Sequence, residues 1–117
     1  MAASRTQNTR GRPRFPLDMA VSLVEFDERG MYARTFNGRI KDLSQGGLGI
    51  CVAGMVHVGR FLLVEGELKG TRNQFFGRVV RNDYVASAGH IVGIAMEPLP
   101  KDGPVHLWLS QREESAA

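Results

Sequence analysis

Cysteine and long apolar runs are nearly absent from this sequence. No stretch of the 117 residues approaches the roughly 18 consecutive apolar residues that a membrane-spanning helix needs. The opening MAASRTQNTR also lacks the apolar core of a secretory signal. With one cysteine, Cys51, an internal disulfide is excluded. These absences predict a cytoplasmic protein without a membrane span, in which Cys51 is a small buried apolar residue.

Acidic residues are missing from one end of the chain. The first 14 residues contain no Asp or Glu but four arginines, which are Arg5, Arg10, Arg12 and Arg14. The remainder holds 11 basic and 12 acidic side chains, so the net charge of +3 comes from this first segment. Charge concentrated in this way indicates an anionic partner, such as a phosphate, a nucleic acid or an anionic membrane surface. The prolines of RGRPRFP exclude a helix here, and residues 1–14 are predicted to form a flexible basic arm.

The rest of the chain has the pattern of an all-β domain. Short runs rich in Val, Ile, Leu and Phe alternate with glycine-containing turns. The predicted strands cover residues 19–26, 31–41, 48–52, 60–68, 73–82 and 90–96. Six short antiparallel strands at this spacing favour a closed or nearly closed β-barrel.

A change of period marks the end of the domain. After Pro104, the residues Val105, Trp108, Leu109 and Arg112 recur at helical spacing. They predict a short amphipathic C-terminal helix whose apolar side covers the core. The domain is therefore expected to span residues 15–112, followed by a disordered tail over residues 113–117.

Two short motifs carry the chemistry. The first is Arg10-x-x-x-Arg14, and guanidinium groups match both phosphate oxygens and the O6 and N7 edge of guanine through paired hydrogen bonds. The second is Asp42-x-Ser44-x-x-Gly47, which stands just before an apolar strand. Asp and Ser side chains bond nearby amides in turns, while glycine permits positive φ or the close approach of a ligand. Taken alone, this second motif is also compatible with an ordinary turn between strands.

Together the motifs resemble the signature of the PilZ domain family. They occur in the family's order, with 28 positions from Arg14 to Asp42, and the segments 77–80 and 90–96 are similar to a later strand pair of that family. The resemblance covers roughly residues 10–112. It implies a six-stranded antiparallel barrel of the split-barrel type with a C-terminal helix. It also implies a receptor that binds the bacterial second messenger cyclic di-GMP and catalyses no reaction.

The resemblance assigns a role to each motif residue. Arg10 and Arg14 would hold the phosphates and stack on, or hydrogen-bond to, the guanines. Asp42 would accept hydrogen bonds from guanine N1 and N2, a pairing that suits a carboxylate facing two donors. Ser44 would hydrogen-bond the ligand, and Gly47 would keep the turn tight. Additional candidates for ligand contact are Thr9, Arg12 and Gly46.

Thr9 departs from part of the family. Some members carry an extra arginine at this position, which is associated with binding a stacked pair of ligands. The threonine therefore favours binding of one cyclic di-GMP per chain, or weaker binding of two, unless Arg12 compensates. Because the chain contains no output domain, an unidentified protein effector is expected as a second partner.

Other functions remain compatible with parts of the sequence. A nucleic-acid-binding small barrel would also have a basic arm, but the aromatic residues are dispersed along the chain, and most are expected in the core. A degenerate PilZ domain that binds only a protein is disfavoured because both arm arginines are present. His57, His90 and His106 are scattered, so neither a metal site nor a cofactor is expected. Nothing in the sequence pairs a nucleophile with a base, which argues against an enzyme.

Overall fold

The computed structural model describes residues 15–116, and their side chains except at positions 68 and 114–116. Six strands and one helix occupy this part of the chain. In chain order they are β1 (Phe15–Phe26), β2 (Tyr32–Ser44), β3 (Gly47–Val52), β4 (Phe61–Leu68), β5 (Thr71–Val85), β6 (Gly89–Met96) and α1 (Gly103–Ala116). The all-β prediction with a C-terminal helix is therefore confirmed.

The strands form a ring of hydrogen bonds. Their order is β1-β2-β3-β6-β5-β4, and β4 pairs back onto β1 to close the barrel. Every pair is antiparallel. Several strands are longer than predicted: the largest extensions are those of β1, which begins at Phe15, β2, which continues to Ser44, and β5, which extends to Val85. These extensions pair with neighbouring strands, for example Phe15 with Leu43 and Val85 with Gly89, so their backbones join the ladder although the Phe15 and Val85 side chains are exposed.

Alternation along the strands directs apolar side chains into the barrel. The barrel core is built mainly from Leu, Ile and Val, including Leu23, Ile40, Ile50, Leu62 and Val79, which are all fully buried. Cys51 lies between two of these inward positions and is half-buried. The prediction of a buried Cys51 is wrong, because the inward orientation of Ile50 and Val52 turns the residue between them outward.

A second apolar cluster lies between the barrel and α1. It contains Val24, Phe26, Leu63, Phe76 and Val105, with Phe61, Trp108 and Leu109 packed at its margin. The predicted apolar side of the helix thus packs on the sheet. Burial of this cluster, and not helix propensity alone, stabilises α1 on the barrel.

The helix is longer than the sequence pattern predicted. It continues to Ala116, so residues 113–116 are helical and do not form the expected tail. The sequence after Arg112 contains no Gly or Pro to end a helix. Arg112 itself donates two hydrogen bonds to Glu65 on β4, at 2.8 and 2.7 Å, and its guanidinium lies 5.0 Å from the Trp108 ring. Among the described residues, no helix is both long and apolar enough to cross a bilayer.

Candidate functional site

The Asp-x-Ser-x-x-Gly motif forms the turn between β2 and β3. Asp42 and Ser44 end β2, Gly47 begins β3, and Gln45 and Gly46 make the two-residue connection. Ser44 pairs with Gly47 across the ladder, and the Ser44 hydroxyl lies 3.4 Å from the Gly47 carbonyl oxygen. The Gly46 carbonyl accepts a hydrogen bond of 3.0 Å from the Met96 amide at the end of β6. Both strands of the hairpin and β6 therefore fix the turn.

Irregular pairing redirects β2 just before this turn. Ile40 pairs with Ile50 and Asp42 with Gly49, so Lys41 is an extra residue between them. The pairing of β1 with β2 shifts register at the same place, between Pro16 and Met19 of β1. Such bulges bend a strand and change where its side chains point. The candidate carboxylate Asp42 follows this bend directly.

The Asp42 carboxylate lies against the backbone of Gly49. A Cβ atom added to Gly49 would come within 2.8 Å of Asp42 Oδ1 and 3.0 Å of Oδ2. Leu48 and Ile50 on either side of Gly49 are buried in the barrel core, so Gly49 faces outward. The carboxylate consequently lies on the outer face of β3, at a place where only glycine leaves room for it.

Gly47 meets a different constraint. A Cβ atom there would lie 2.7 Å from the Ile94 carbonyl oxygen on β6. Because that neighbour is backbone, a side chain at this position would force β3 and β6 apart. The close approach of two strands thus requires Gly47, independently of any ligand.

The start of β1 lies beside the motif. Phe15 pairs with Leu43 and Pro16 with Asp42. Arg14 directly precedes Phe15 in the sequence. The other arm candidates, Thr9, Arg10 and Arg12, lie with Arg14 outside the described residues, so the structure describes no contact of theirs with the turn.

Comparison with known proteins agrees with this arrangement. A family model for the PilZ domain matches residues 8–108, which include both motifs. The chain belongs to the PilZ domain family. PilZ domains are binding and regulatory modules, known as receptors for cyclic di-GMP.

Solved structures support the same fold. This PilZ domain resembles the crystal structure of the PilZ domain of CeSA from a cellulose-synthesizing bacterium, with 19% sequence identity and a TM-score of 0.51. The match covers 86% of this chain and 98% of that chain. Among curated proteins, none matches the sequence significantly.

Sequence reasoning did not identify Arg81 as a neighbour of the motif. Arg81 on β5 pairs with Gly93 on β6, and a Cβ added to Gly93 would come within 3.3 Å of its guanidinium. Gly93 in turn pairs with Gly49, beneath the Asp42 carboxylate. No signal along the chain points to this position, because it depends on the register of three strands.

Several other ionisable groups in the described residues have structural partners. Glu25 is 2% exposed and receives hydrogen bonds from Arg34 at 2.6 Å and Arg60 at 2.8 Å. His90 Nδ1 lies 2.9 Å from Asn82 Oδ1. Within residues 15–116 we find no group of three or more His, Cys, Asp or Glu side chains arranged to hold a metal ion.

Most aromatic side chains of the described residues lie in the core or pack against it, as predicted. Phe26 and Phe76 are buried, whereas Phe15, Tyr32 and Tyr84 are exposed. Tyr32 stacks on Trp108 with ring centroids 5.5 Å apart. Tyr84, by contrast, contacts the ring of His90. The two exposed tyrosines therefore pack against different elements, Tyr32 against α1 and Tyr84 against β6.

Proposed function

We propose that this PilZ domain binds cyclic di-GMP between its N-terminal arm and the β2–β3 turn, and that it acts as a cytoplasmic signalling receptor without catalysing a reaction. The observation that carries the proposal is the pairing of Phe15 with Leu43 and of Pro16 with Asp42. This register brings the point where the arm enters the barrel next to the Asp-x-Ser-x-x-Gly turn. The described chain therefore begins beside the second motif, one residue after Arg14.

The chemistry of the motif residues suits this ligand. Cyclic di-GMP carries two phosphates and two guanines, and the guanidinium groups of Arg10 and Arg14 can donate paired hydrogen bonds to either. The Asp42 carboxylate on the outer face of β3 is a suitable acceptor for guanine N1 and N2 donors. Ser44 adds a hydroxyl at the same turn. Thr9, Arg12 and Gly46 remain further candidates for contact.

Ordering of the arm would transmit the signal. Residues 1–14 contain four arginines, no acid and no large apolar side chain beyond Met1, so they can bury little surface to offset the entropy of ordering. A doubly anionic ligand would neutralise the arginines and hold the arm against the barrel. The closed arm would then present a new surface to a protein effector.

Calorimetric titration with cyclic di-GMP tests the binding proposal, with GTP and single-stranded RNA as competing ligands. We expect saturable binding of cyclic di-GMP, and weaker binding of both competitors. Arg10→Ala, Arg14→Ala and Asp42→Ala should each weaken binding by about 2 kcal/mol or more, since each removes a charge-assisted contact. Arg72→Ala removes an exposed arginine from the far end of β5 and serves as the matched control. Unchanged affinity in all three motif variants would contradict the site.

The stoichiometry of binding and the hydrogen exchange of the arm provide two further tests of the proposal. The wild type should saturate near one ligand per chain, whereas Thr9→Arg should shift it toward two. Hydrogen exchange of residues 5–16 should slow when cyclic di-GMP saturates the protein. An arm that is already protected in the free protein, or that stays unprotected at saturation, would exclude ordering of the arm as the signal.

A further inference from the structure

Four residues form one row across the sheet beside the turn. Asp42 of β2 pairs with Gly49 of β3, Gly49 with Gly93 of β6, and Gly93 with Arg81 of β5. Residues directly opposite one another in a sheet point their side chains to the same face. Gly49 and Gly93 both alternate with core residues, so the row lies on the outside of the barrel. A carboxylate and a guanidinium therefore flank two glycines on one outer face.

The distance between these charged groups is limited by the glycines. The Asp42 carboxylate lies within 3.0 Å of the position that a Gly49 Cβ would occupy, and the Arg81 guanidinium within 3.3 Å of that of Gly93. Cβ positions of directly paired residues are about 5 Å apart. The two groups are thus at most about 11 Å apart, which is close enough for both side chains to reach one purine through a hydrogen bond of about 2.9 Å each.

We propose that Arg81 reads guanine in this site by donating hydrogen bonds to O6 and N7 of the base whose N1 and N2 donors bond to Asp42. The inference rests on the proposed function and deepens it. Guanine has donors on the edge that faces the carboxylate and acceptors on the edge that faces the guanidinium. Adenine would present its N6 donor to Arg81. The row therefore selects guanine at both edges of the base.

The existing partner of Arg81 does not prevent this role. Arg81 Nε lies 3.0 Å from Asp83 Oδ2, and the two side chains are 53% and 60% exposed. An ion pair so exposed to water contributes little to the fold. The guanidinium can consequently exchange Asp83 for a base edge at small cost.

Asp83 also supplies a control that separates binding from structure. Arg81→Ala removes both the ion pair and the guanine contact, whereas Asp83→Ala removes only the ion pair. Cyclic di-GMP built from 7-deazaguanine lacks the N7 acceptor but keeps O6 and the edge that Asp42 would bind, so it removes one of the two proposed hydrogen bonds from Arg81. Titrations of both ligands into the wild type and into Arg81→Ala, Asp83→Ala and Arg72→Ala form the experiment.

We expect Arg81→Ala to bind cyclic di-GMP about 10-fold more weakly than the wild type, which matches the loss of a paired contact to a base edge. The wild type should lose part of this factor with the 7-deaza ligand, since O6 still accepts from Arg81, and Arg81→Ala should discriminate less between the two ligands than the wild type does. Asp83→Ala should bind as tightly as the wild type or more tightly, and Arg72→Ala should be unchanged. Melting temperatures of the variants verify that each is folded.

The outcomes distinguish this inference from the proposed function. If the wild type does not bind cyclic di-GMP, the proposed function fails and the role of Arg81 fails with it. If the wild type binds but Arg81→Ala binds equally well, or discriminates against the 7-deaza ligand as strongly as the wild type does, the role of Arg81 alone is overturned. An equal loss in Arg81→Ala and Asp83→Ala would also overturn it, because the ion pair would then be the cause.

Discussion

Two surfaces of the barrel differ in the kind of side chain that covers the sheet. The helix face consists of Phe26, Phe76, Val105, Trp108 and Arg112, where large side chains are packed between α1 and the strands. The motif face consists of Asp42, Ser44, Gly47, Gly49 and Gly93, where glycines bring polar groups against strand backbone. Burial of large apolar side chains stabilises the folded state. On the motif face, the glycines leave a flat surface bordered by charged groups, which suits a planar, charged ligand. The difference teaches that substitutions on the two faces should change different quantities, folding free energy on one and ligand affinity on the other.

Phe26→Ala should give the largest effect on the helix face. Phe26 is fully buried and its ring lies 5.5 Å from that of Trp108 and 6.5 Å from that of Phe76. Its removal should lower the free energy of unfolding by about 4 kcal/mol, because it leaves a cavity under α1. Urea denaturation measures this loss, and titration of the folded variant should give nearly wild-type affinity for cyclic di-GMP.

An exposed aromatic residue provides the control for this prediction. Tyr84 is 68% exposed, so Tyr84→Ala should change the free energy of unfolding by less than about 0.5 kcal/mol. A large loss of ligand affinity in folded Phe26→Ala would break the comparison. It would mean that packing under the helix sets the geometry of the motif face.

Two glycines test the comparison within the motif face. A Cβ at position 47 meets the Ile94 carbonyl at 2.7 Å, whereas a Cβ at position 49 meets the end of the Asp42 side chain at 2.8 Å. Backbone cannot move without strain, so Gly47→Ala should destabilise the fold by about 2 kcal/mol. Gly49→Ala should displace the carboxylate instead, and weaken cyclic di-GMP binding by about 2 kcal/mol with a much smaller effect on stability.

Denaturation and titration of both glycine variants check this division. Equal losses of stability at the two positions would show that the Asp42 side chain is held as rigidly as backbone. Unchanged affinity in Gly49→Ala would argue that the ligand does not use the carboxylate where the structure has it.

Local sequence patterns were sufficient for the fold but only for part of the candidate site. Alternation of apolar residues located all six strands, because burial on one side of a sheet imposes a period of two. The turn from Asp42 to Gly47 could also be predicted, because the residue types that form a turn are neighbours in the sequence. Arg81 was missed because its position beside Gly93 depends on strand pairing across three elements. The end of α1 was placed at Arg112, since the apolar stripe stops there although the helical backbone continues.

Among the variants designed to destabilise the fold, Glu65→Gln should give the smallest loss in the free energy of unfolding. It tests whether an ion pair, in addition to apolar packing, stabilises α1 on the barrel. Glu65 is 8% exposed, and its carboxylate accepts hydrogen bonds from Arg112 and Gln74. We expect the free energy of unfolding to fall by about 1.5 kcal/mol at neutral pH, near the low end for charged hydrogen bonds because Arg112 is partly exposed. Ligand affinity should not change, since the pair belongs to α1 and β4.

The pH dependence of stability identifies the ion pair as the cause. The hydrogen bonds from Arg112 hold the pKa of Glu65 below its ordinary value of 4.5, and they outweigh burial, which acts to raise that pKa. A carboxylate with a lowered pKa in the folded state stabilises the protein fully above the unfolded value and loses this contribution as pH falls through the folded one. Denaturation curves from pH 7 to pH 3 should therefore show the wild type and Glu65→Gln converging below pH 4.5. A constant difference across that range would mean that the variant loses packing and not charge, leaving α1 held by its apolar cluster alone.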